Sequence, residues 1–238
     1  MAIDYRKEFK ENNYTVIKNY FTKEECKILY DYGKAKYRTA LTMKKDNYSN
    51  YRPFWDGRIG DGMVPDTFAL YGDVLMDSLC ESMVPRLNTL LGVKLLPTYT
   101  YWRMYKNGDE LFRHKDRPSC EISTTITVGY ESDYCWPIFI QGDGKEGTPG
   151  KSYELYPGDL LIYRGVYAEH WREKFTGKQH MQVFTHYNDA NGPYAQINKF
   201  DCRPHLGLPE DYKDHVQQKK VNEVLDIVRS IQQEESKK

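Results

Sequence analysis

The hydrophobic period of this chain changes at Gly92, and this change limits the folds it can adopt. Before Gly92 apolar residues recur at helical spacing, whereas after it short aromatic and β-branched runs alternate with turn signals. The runs are 99–105, 121–130, 136–140, 160–163 and 181–187, and the turn signals between them are 107–108, 142–150, 157–159 and 176–177. Helices followed by closely spaced strands predict an α+β protein built on a β-sandwich or barrel.

The part before Gly92 predicts supporting helices and one long loop. Residues 14–21 are typical of a short strand, and Thr22 with Glu25 forms a capping box that predicts a helix running towards Gly33. Residues 44–65 are rich in Asn, Asp, Gly, Tyr and Pro, which predicts a long loop of the kind that often serves as a lid. Residues 66–91 carry a helical apolar pattern that Pro85 kinks or divides.

The C-terminal part predicts a final amphipathic helix over 209–233. Its apolar stripe consists of Val221, Val224, Leu225, Val228 and Ile231. Such a stripe more often covers the chain's own core than a partner's surface, although a dimer contact through this helix stays open. We therefore expect a single domain over 1–238, with a helical support region and lid loop at 1–93, a β core at 94–190 and a C-terminal extension and helix at 191–238.

The composition excludes several classes of partner. The 34 basic residues balance the 34 acidic ones, so no global field attracts nucleic acid or an anionic membrane. No apolar stretch approaches the roughly 18 residues that a membrane span needs, and the N-terminus lacks the apolar segment of a signal peptide. The five cysteines show no C-x-x-C pairing and are expected to be reduced thiols. We therefore expect a cytoplasmic protein with no membrane partner, and the charge balance disfavours a nucleic-acid partner without excluding a local basic patch.

A candidate metal site begins with His114 and Asp116. On an extended strand these two residues would share one face, roughly 6 to 7 Å apart, and could bind one ion. A facial triad of two histidines and one carboxylate needs another imidazole from a distant strand. His170 is the best candidate, because it follows a tight turn and a strand at 157–163. Without further context, a histidine near an acid is more often structural than a ligand.

The context of these residues resembles a known family. The spacing Tyr105-x-x-Gly108-x(5)-His114-x-Asp116 resembles the corresponding segment of the prolyl 4-hydroxylase-like iron(II)/2-oxoglutarate oxygenases. The segment from Gly158 to His170 is similar to that family's stretch before the distal histidine. The wider runs 99–123 and 158–188 look like a microbial and phage subgroup of the same superfamily, so the resemblance covers about half the chain. It implies a double-stranded β-helix, also called a jelly-roll or cupin-like barrel.

The resemblance also implies roles for individual residues. His114, Asp116 and His170 would be the catalytic Fe(II) ligands and Tyr105 would bind 2-oxoglutarate, with O2 as the second co-substrate and ascorbate as an optional reductant. The family places a lysine or arginine for the far carboxylate of 2-oxoglutarate where this chain has His180. His180 could serve if a doubly negative ligand raised its pKa.

Two other cations could replace His180 in that role. Arg172 and Lys178 lie on the same hairpin as His180. Arginine is the better partner for a carboxylate, because its guanidinium can donate two parallel hydrogen bonds. Strand alternation puts His186 on the same face as His180, so we expect His186 to support a ligand rather than to bind the metal.

Two arginines are candidates for substrate binding. Arg103 shares a strand face with Tyr105, and Arg117 follows Asp116, so both could contact an anionic substrate. A structural or surface role remains the more common interpretation of each.

The resulting functional hypothesis is a hydroxylase that acts on a small-molecule or peptidyl substrate and releases succinate and CO2. Asp116, in place of a small residue, favours hydroxylation over halogenation. The alternative from another class is a cupin-like protein that binds a metal or ligand without turnover, as a sensor does. Release of succinate distinguishes the two. An oxygenase acting on nucleic acid is disfavoured by the zero net charge.

Overall fold

The computed structural model describes residues 3–235, with side chains described up to residue 227. Its helices are α1 (Tyr5–Asn12), α2 (Lys23–Lys45), α3 (Pro53–Asp56), α4 (Val74–Leu91) and α5 (Tyr212–Glu235). Its strands are β1 (Tyr14–Ile17), β2 (Arg58–Ile59), β3 (Phe68–Tyr71), β4 (Leu95–Lys106), β5 (Leu111–His114), β6 (Ile122–Glu131), β7 (Ile138–Gln141), β8 (Lys151–Tyr153), β9 (Leu160–Tyr163), β10 (Glu169–Arg172) and β11 (Gln179–Asp189). The α+β class is confirmed. Within 3–235, every helix is too short or too polar to cross a bilayer.

The strands form two sheets that face each other. The larger has the order β1-β9-β6-β11-β4-β3-β2 and the smaller has the order β5-β10-β7-β8. Every pairing between described strands is antiparallel. Side chains of the two sheets meet in the space between them, where the rings of Tyr163 on β9 and His170 on β10 lie 4.6 Å apart. This space holds the candidate site.

Strand alternation gives the large sheet two different faces. The outer face carries Trp102, Ile126 and Val183, which are buried in one core with Leu29 of α2 and Leu87 of α4. Each such apolar side chain contributes about 1.5–3 kcal/mol by leaving water. The inner face turns towards the small sheet and carries the polar and aromatic residues of the site. Helices α2 and α4 therefore pack on the outer face of the large sheet, as supporting helices should.

Helix α2 begins as expected but ends later. Thr22 and Glu25 form the capping box that the sequence predicts. The helix then continues through Gly33 to Lys45, so the expected end near Gly33 is wrong. Gly33 has a packing role instead, because a Cβ at this position would clash with the side chain of Met181 on β11. The glycine lets the helix approach the sheet closely.

Several other boundaries differ from the sequence prediction. Residues 68–71, expected to be helical, form β3, and α4 begins only after Asp73, whose carboxylate accepts from the backbone N–H groups of Leu75 and Met76. The predicted strand over 14–21 ends at Ile17, and the predicted loop over 44–65 contains α3 and β2. Helix α1 and strands β5, β8 and β10 were not predicted.

Helix α5 covers the predicted range approximately, but its apolar stripe does not cover the core. Val221, Val224 and Leu225 are 46%, 59% and 45% exposed, so that expectation is wrong for these three residues. The side chains of Val228 and Ile231 lie outside the described residues. A dimer contact through this helix stays a prediction.

Candidate metal centre and adjoining pocket

Three side chains of ligand type converge where β5 and β10 pair. His114 and His170 are register partners on these strands. Oδ1 of Asp116 lies 3.7 Å from Nε2 of His114 and 3.6 Å from Nε2 of His170. One ligand atom of each residue lies within 4.8 Å of the other two, so a single ion can contact all three. The candidate ligands that the sequence analysis selected are thus brought together.

The backbone route to this arrangement differs from the expected one. Strand β5 ends at His114, so Asp116 is not on the same strand face. Instead the backbone N–H of Asp116 donates to the carbonyl oxygen of Gly165 at 2.8 Å, which fixes the loop. A Cβ at position 165 would clash with the Asp116 carboxylate and with the carbonyl oxygen of Cys120, so glycine is required there.

The two histidines are oriented as ligands by their backbone contacts. Nδ1 of His114 lies 2.7 Å from the carbonyl oxygen of Phe112, and Nδ1 of His170 lies 3.2 Å from that of Ala168. When each Nδ1 donates to its carbonyl, the Nε2 lone pair points towards Asp116. Burial lowers the pKa of His170 to about 4, even though Asp116 favours its protonated form. His170 is therefore neutral near pH 7, as a metal ligand must be.

Asp116 is held by a short hydrogen-bonded chain. The hydroxyl of Ser123 donates to Oδ2 of Asp116 at 2.8 Å and lies 2.9 Å from Nδ1 of His186. His186 thus reaches the carboxylate through Ser123, in the supporting position expected of it. Strand alternation alone can predict that Ser123 lies on the inner face of its strand. No sequence pattern predicts its hydrogen bond to Asp116.

A second cluster lies further inside, between the sheets. Tyr105, Arg172 and His180 are 0%, 1% and 0% exposed. Nη1 of Arg172 donates to the carbonyl oxygen of Trp136 at 2.6 Å, and the guanidinium carbon lies 4.8 Å from the centre of the Trp136 ring system. The hydroxyl of Tyr105, Nε and Nη2 of Arg172 and Nδ1 of His180 have no hydrogen-bond partner among the described residues.

These unpartnered groups destabilise the ligand-free protein. A buried cation and buried polar groups without partners each destabilise a protein by about 1–3 kcal/mol or more. An anionic ligand with two carboxylate oxygens would satisfy the free N–H groups of Arg172 and the hydroxyl of Tyr105 together. The cluster therefore has the donor set of a carboxylate-binding site.

The protonation states identify Arg172 as the cation of this cluster. Burial lowers the pKa of Arg172 to about 10, which still leaves it charged near pH 7. Burial and the neighbouring Arg172 lower the pKa of His180 to about 3, so His180 is neutral in the ligand-free protein. Lys178 does not reach the interior, because it is exposed and pairs with Glu131 at 2.7 Å.

A cavity of about 370 Å³ leads from the three candidate ligands towards the surface. Both arginines suggested for substrate binding line it, and each is already paired with a carboxylate. Arg103 binds Asp61 through two contacts of 2.7 and 3.0 Å. Arg117 binds Asp201 through two contacts of 2.7 and 2.8 Å. Sequence reasoning selected neither acid.

Asp61 belongs to the predicted lid loop and holds part of it against the cavity. Its carboxylate accepts from the backbone N–H groups of Met63 and Val64, each at 2.9 Å, and from the hydroxyl of Tyr101. Because Arg103 is only 6% exposed, this ion pair is largely shielded from water. Residues 61–64 are therefore anchored to the wall of the cavity.

Asp201 anchors the C-terminal extension in the same way. Besides Arg117, its carboxylate accepts from the Tyr71 hydroxyl at 2.6 Å and from Nζ of Lys213 at 2.9 Å. Phe200, Asp201 and Cys202 have φ values of 50°, 54° and 67°, in the left-handed region that non-glycine residues rarely adopt. These contacts hold an unfavourable backbone turn in place.

Comparison with known proteins supports one fold class. No protein-family model matches the chain, and no curated protein sequence matches it. Among solved structures, a Pseudomonas putida prolyl-4-hydroxylase matches with a TM-score of 0.54 at 10% identity, covering 78% of this chain and 97% of that one. The non-haem alpha-ketoglutarate-dependent carbocyclase SnoK from nogalamycin biosynthesis matches with a TM-score of 0.58 at 11% identity, covering 84% and 92%.

HygX from Streptomyces hygroscopicus, solved with nickel and 2-oxoglutarate bound, matches with a TM-score of 0.55 at 13% identity, covering 80% of this chain and 88% of that one. At these identities the similarity establishes the fold. This chain has the fold of the prolyl 4-hydroxylase-like 2-oxoglutarate and iron(II) oxygenases.

Proposed function

We propose that this protein is a non-haem iron(II)- and 2-oxoglutarate-dependent dioxygenase that hydroxylates a small-molecule or peptidyl substrate. The observation that carries the proposal is the convergence of His114, Asp116 and His170 in the same interior as the buried, incompletely bonded Arg172. In this proposal the two facing sheets are those of a double-stranded β-helix. Residues 94–190 form the core of one domain, with 1–93 and 191–238 around it.

The candidate ligand set suits iron(II). His114, Asp116 and His170 would hold the ion, and two neutral imidazoles with one carboxylate leave coordination positions for co-substrates. When bound, iron(II) with 2-oxoglutarate and O2 supplies the oxidative chemistry that yields succinate, CO2 and a hydroxylated product. Ser123 and Gly165 keep the Asp116 carboxylate in position.

The interior cluster would hold 2-oxoglutarate. Arg172 presents Nε and Nη2, a pair of donors suited to one carboxylate group, and Tyr105 presents its hydroxyl. His180 would add Nδ1 as a neutral group. Because all three residues are almost fully buried, water is excluded and each of these contacts is strengthened.

The substrate would enter through the cavity, between Arg103 and Arg117. Since Asp61 and Asp201 already balance these two charges, the arginines would act in the substrate site through hydrogen bonding and shape more than through net charge. This leaves small-molecule and peptidyl substrates both open.

The test is release of succinate from 2-oxoglutarate in the presence of iron(II), O2 and ascorbate, without added substrate. The wild type should produce succinate slowly, and His170→Ala and Asp116→Ala should produce none while keeping their fold by circular dichroism. His205→Ala is the matched control, because His205 is exposed and lies outside the site. Equal succinate levels from the wild type and His170→Ala would overturn the proposal.

A further inference from the structure

A second group of ligand-type side chains adjoins the three candidate iron ligands. Asp116, Cys120 and His186 each place one ligand atom within 4.8 Å of the other two. Cys120 and His186 are 3% and 6% exposed, yet all three residues line the cavity, so an ion has a path to them. The proposed oxygenase reaction gives Cys120 no role.

Asp116 lies between the two groups and turns a different oxygen to each side. Oδ1 faces Nε2 of His114 and of His170, whereas Oδ2 accepts from Ser123, which in turn contacts His186. The carboxylate is therefore placed to bind an ion on either side.

Cys120 is held in place by its neighbours, and its thiol is not part of a disulfide. It ends a short 3-10 turn, and its sulfur lies 3.0 Å from the hydroxyl of Tyr99. Its carbonyl oxygen lies 3.2 Å from the hydroxyl oxygen of Ser123, so its backbone adjoins the residue that holds Asp116.

The two groups differ in the ions they suit. The first offers only nitrogen and oxygen, whereas the second adds sulfur, and a set of thiolate, imidazole and carboxylate is typical of Zn²⁺. A coordinated divalent cation deprotonates a thiol outright, so a buried neutral cysteine can still become a ligand.

We infer that Asp116, Cys120 and His186 form a second cation site for a thiophilic divalent ion such as Zn²⁺, and that its occupation competes with iron(II) for Asp116. Two divalent cations that share one carboxylate repel each other, so occupation of either site weakens binding at the other. The competition rests on the proposed function, whereas the existence of the thiolate site does not.

Co²⁺ is the probe for the site itself, because thiolate ligation of Co²⁺ gives a charge-transfer absorption band in the near ultraviolet. The full chain carrying His114→Ala and His170→Ala, which removes the first site, should bind one equivalent of Co²⁺ and show this band. Adding Cys120→Ser should abolish the band. Adding Cys202→Ser, which removes an exposed thiol, should leave it unchanged. A band that is absent from the double variant, or that survives Cys120→Ser, would overturn the inference.

Competition is tested by measuring iron(II) retained in anaerobic dialysis against increasing Zn²⁺. Since Zn²⁺ can also enter the first site, the informative quantity is the difference between variants. Cys120→Ser should need at least about tenfold more Zn²⁺ than the wild type to release iron(II), because it removes a direct ligand and loss of even a supporting contact costs about 10–100-fold. Equal release from both proteins would refute the competition. Failure of the wild type to bind iron(II) at all would count against the proposed function, and the cobalt result would still decide the thiolate site.

Discussion

His170 lies directly opposite His114 on the neighbouring antiparallel strand, and the centres of the two imidazole rings are 4.2 Å apart. This relationship depends on the register between β5 and β10. A slip of one residue would turn one histidine to the other face of the small sheet. The candidate metal centre therefore depends on backbone pairing as much as on the three side chains.

The hydroxyl of Ser123 should be important for metal affinity. Ser123→Ala removes the hydrogen bond to Oδ2 of Asp116 and the link to His186. We expect iron(II) or Mn²⁺ affinity, measured by calorimetric titration, to fall about 10–100-fold. Ser119→Ala is the control, because its hydroxyl accepts from Arg117 at 2.7 Å and serves a different contact. Equal affinities of the two variants would contradict this role.

Arg172→Met should weaken 2-oxoglutarate binding without lowering the stability of the ligand-free protein. Loss of the charged partner is worth about 2–5 kcal/mol, so 2-oxoglutarate should bind about 30-fold more weakly or worse, with iron(II) affinity spared. The ligand-free protein should unfold at an equal or higher temperature, because a buried, incompletely bonded cation is replaced by an apolar side chain. Thermal unfolding with and without 2-oxoglutarate measures both effects.

Arg113→Met provides the comparison for that experiment. Arg113 pairs with Glu169 at 2.6 Å, and its side chain is 29% exposed, outside the unpartnered cluster. The Arg113→Met substitution should leave 2-oxoglutarate affinity unchanged. The role of Arg172 is wrong if both substitutions weaken 2-oxoglutarate binding equally.

A lysine at position 180 on β11 should be able to supply the positive charge in place of Arg172 on β10. His180→Lys alone places a second positive charge beside Arg172 in a fully buried cluster, so it should lower the unfolding temperature without tightening 2-oxoglutarate binding. The double variant Arg172→Met/His180→Lys restores a single cation and should recover part of the lost affinity. Isothermal titration of the three variants tests this, and a double variant no better than Arg172→Met argues against a shared carboxylate site.

Stability should fall as the pH falls from about 6.5 to about 4. The pKa values of His170, His180 and His186 in the folded protein are about 4, 3 and 4, all lowered first by burial. In this window the unfolded chain binds protons that the folded chain does not. Each histidine therefore adds a slope of up to about 1.4 kcal/mol per pH unit, with stability greater at the higher pH.

Urea unfolding at a series of pH values measures that slope. His180→Gln should reduce it by about a third, because one of three titrating groups is removed. Asp201 contributes mainly below this window. Burial raises its pKa, but Arg117 outweighs burial and holds the pKa well below the ordinary value, so most of its contribution is lost in stronger acid. A flat profile between pH 6.5 and 4 is incompatible with three neutral buried histidines.

The ion pair between Asp61 and Arg103 should control opening of the lid loop. Asp61→Asn leaves a nearly buried guanidinium without its charged partner, which costs about 3–5 kcal/mol in a buried pair. We expect this cost to appear as local opening, seen as faster proteolysis within 57–66, with a smaller change in the global unfolding temperature. Asp66→Asn, one residue beyond this loop, should be cleaved at the wild-type rate.

The parts of the fold that the sequence predicts are those with local signals. The capping box at Thr22 and the long strands β4, β6 and β11 depend on residues close together in the chain. Strands β5, β8 and β10 have only three or four residues and include charged ones, so they show neither a period nor the apolar run that marks the equally short β7 and β9. Strand β3 is a buried run of four apolar residues, which periodicity cannot separate from a helix.

The candidate site likewise contains residues that the sequence predicts and residues that only the structure reveals. The spacing of His114, Asp116 and His170 is visible in the sequence, and the structure brings these three residues together. Gly165 and Asp61 act through contacts with residues far away in the chain. Arg172 and His180 were both visible as candidates, but only their burial shows which of them carries the charge.

Two segments that supply none of the candidate ligands adjoin the cavity: 61–64 contributes to its lining, and 199–213 binds Arg117 in its wall. Each contacts an arginine of the cavity wall through one carboxylate, Asp61 or Asp201, and 199–213 is held further by the ion pair of Arg203 with Asp77. A segment of different length or shape could replace either one if these contacts are kept. Substrate preference could then be redesigned by grafting, with the chemical centre beneath left untouched.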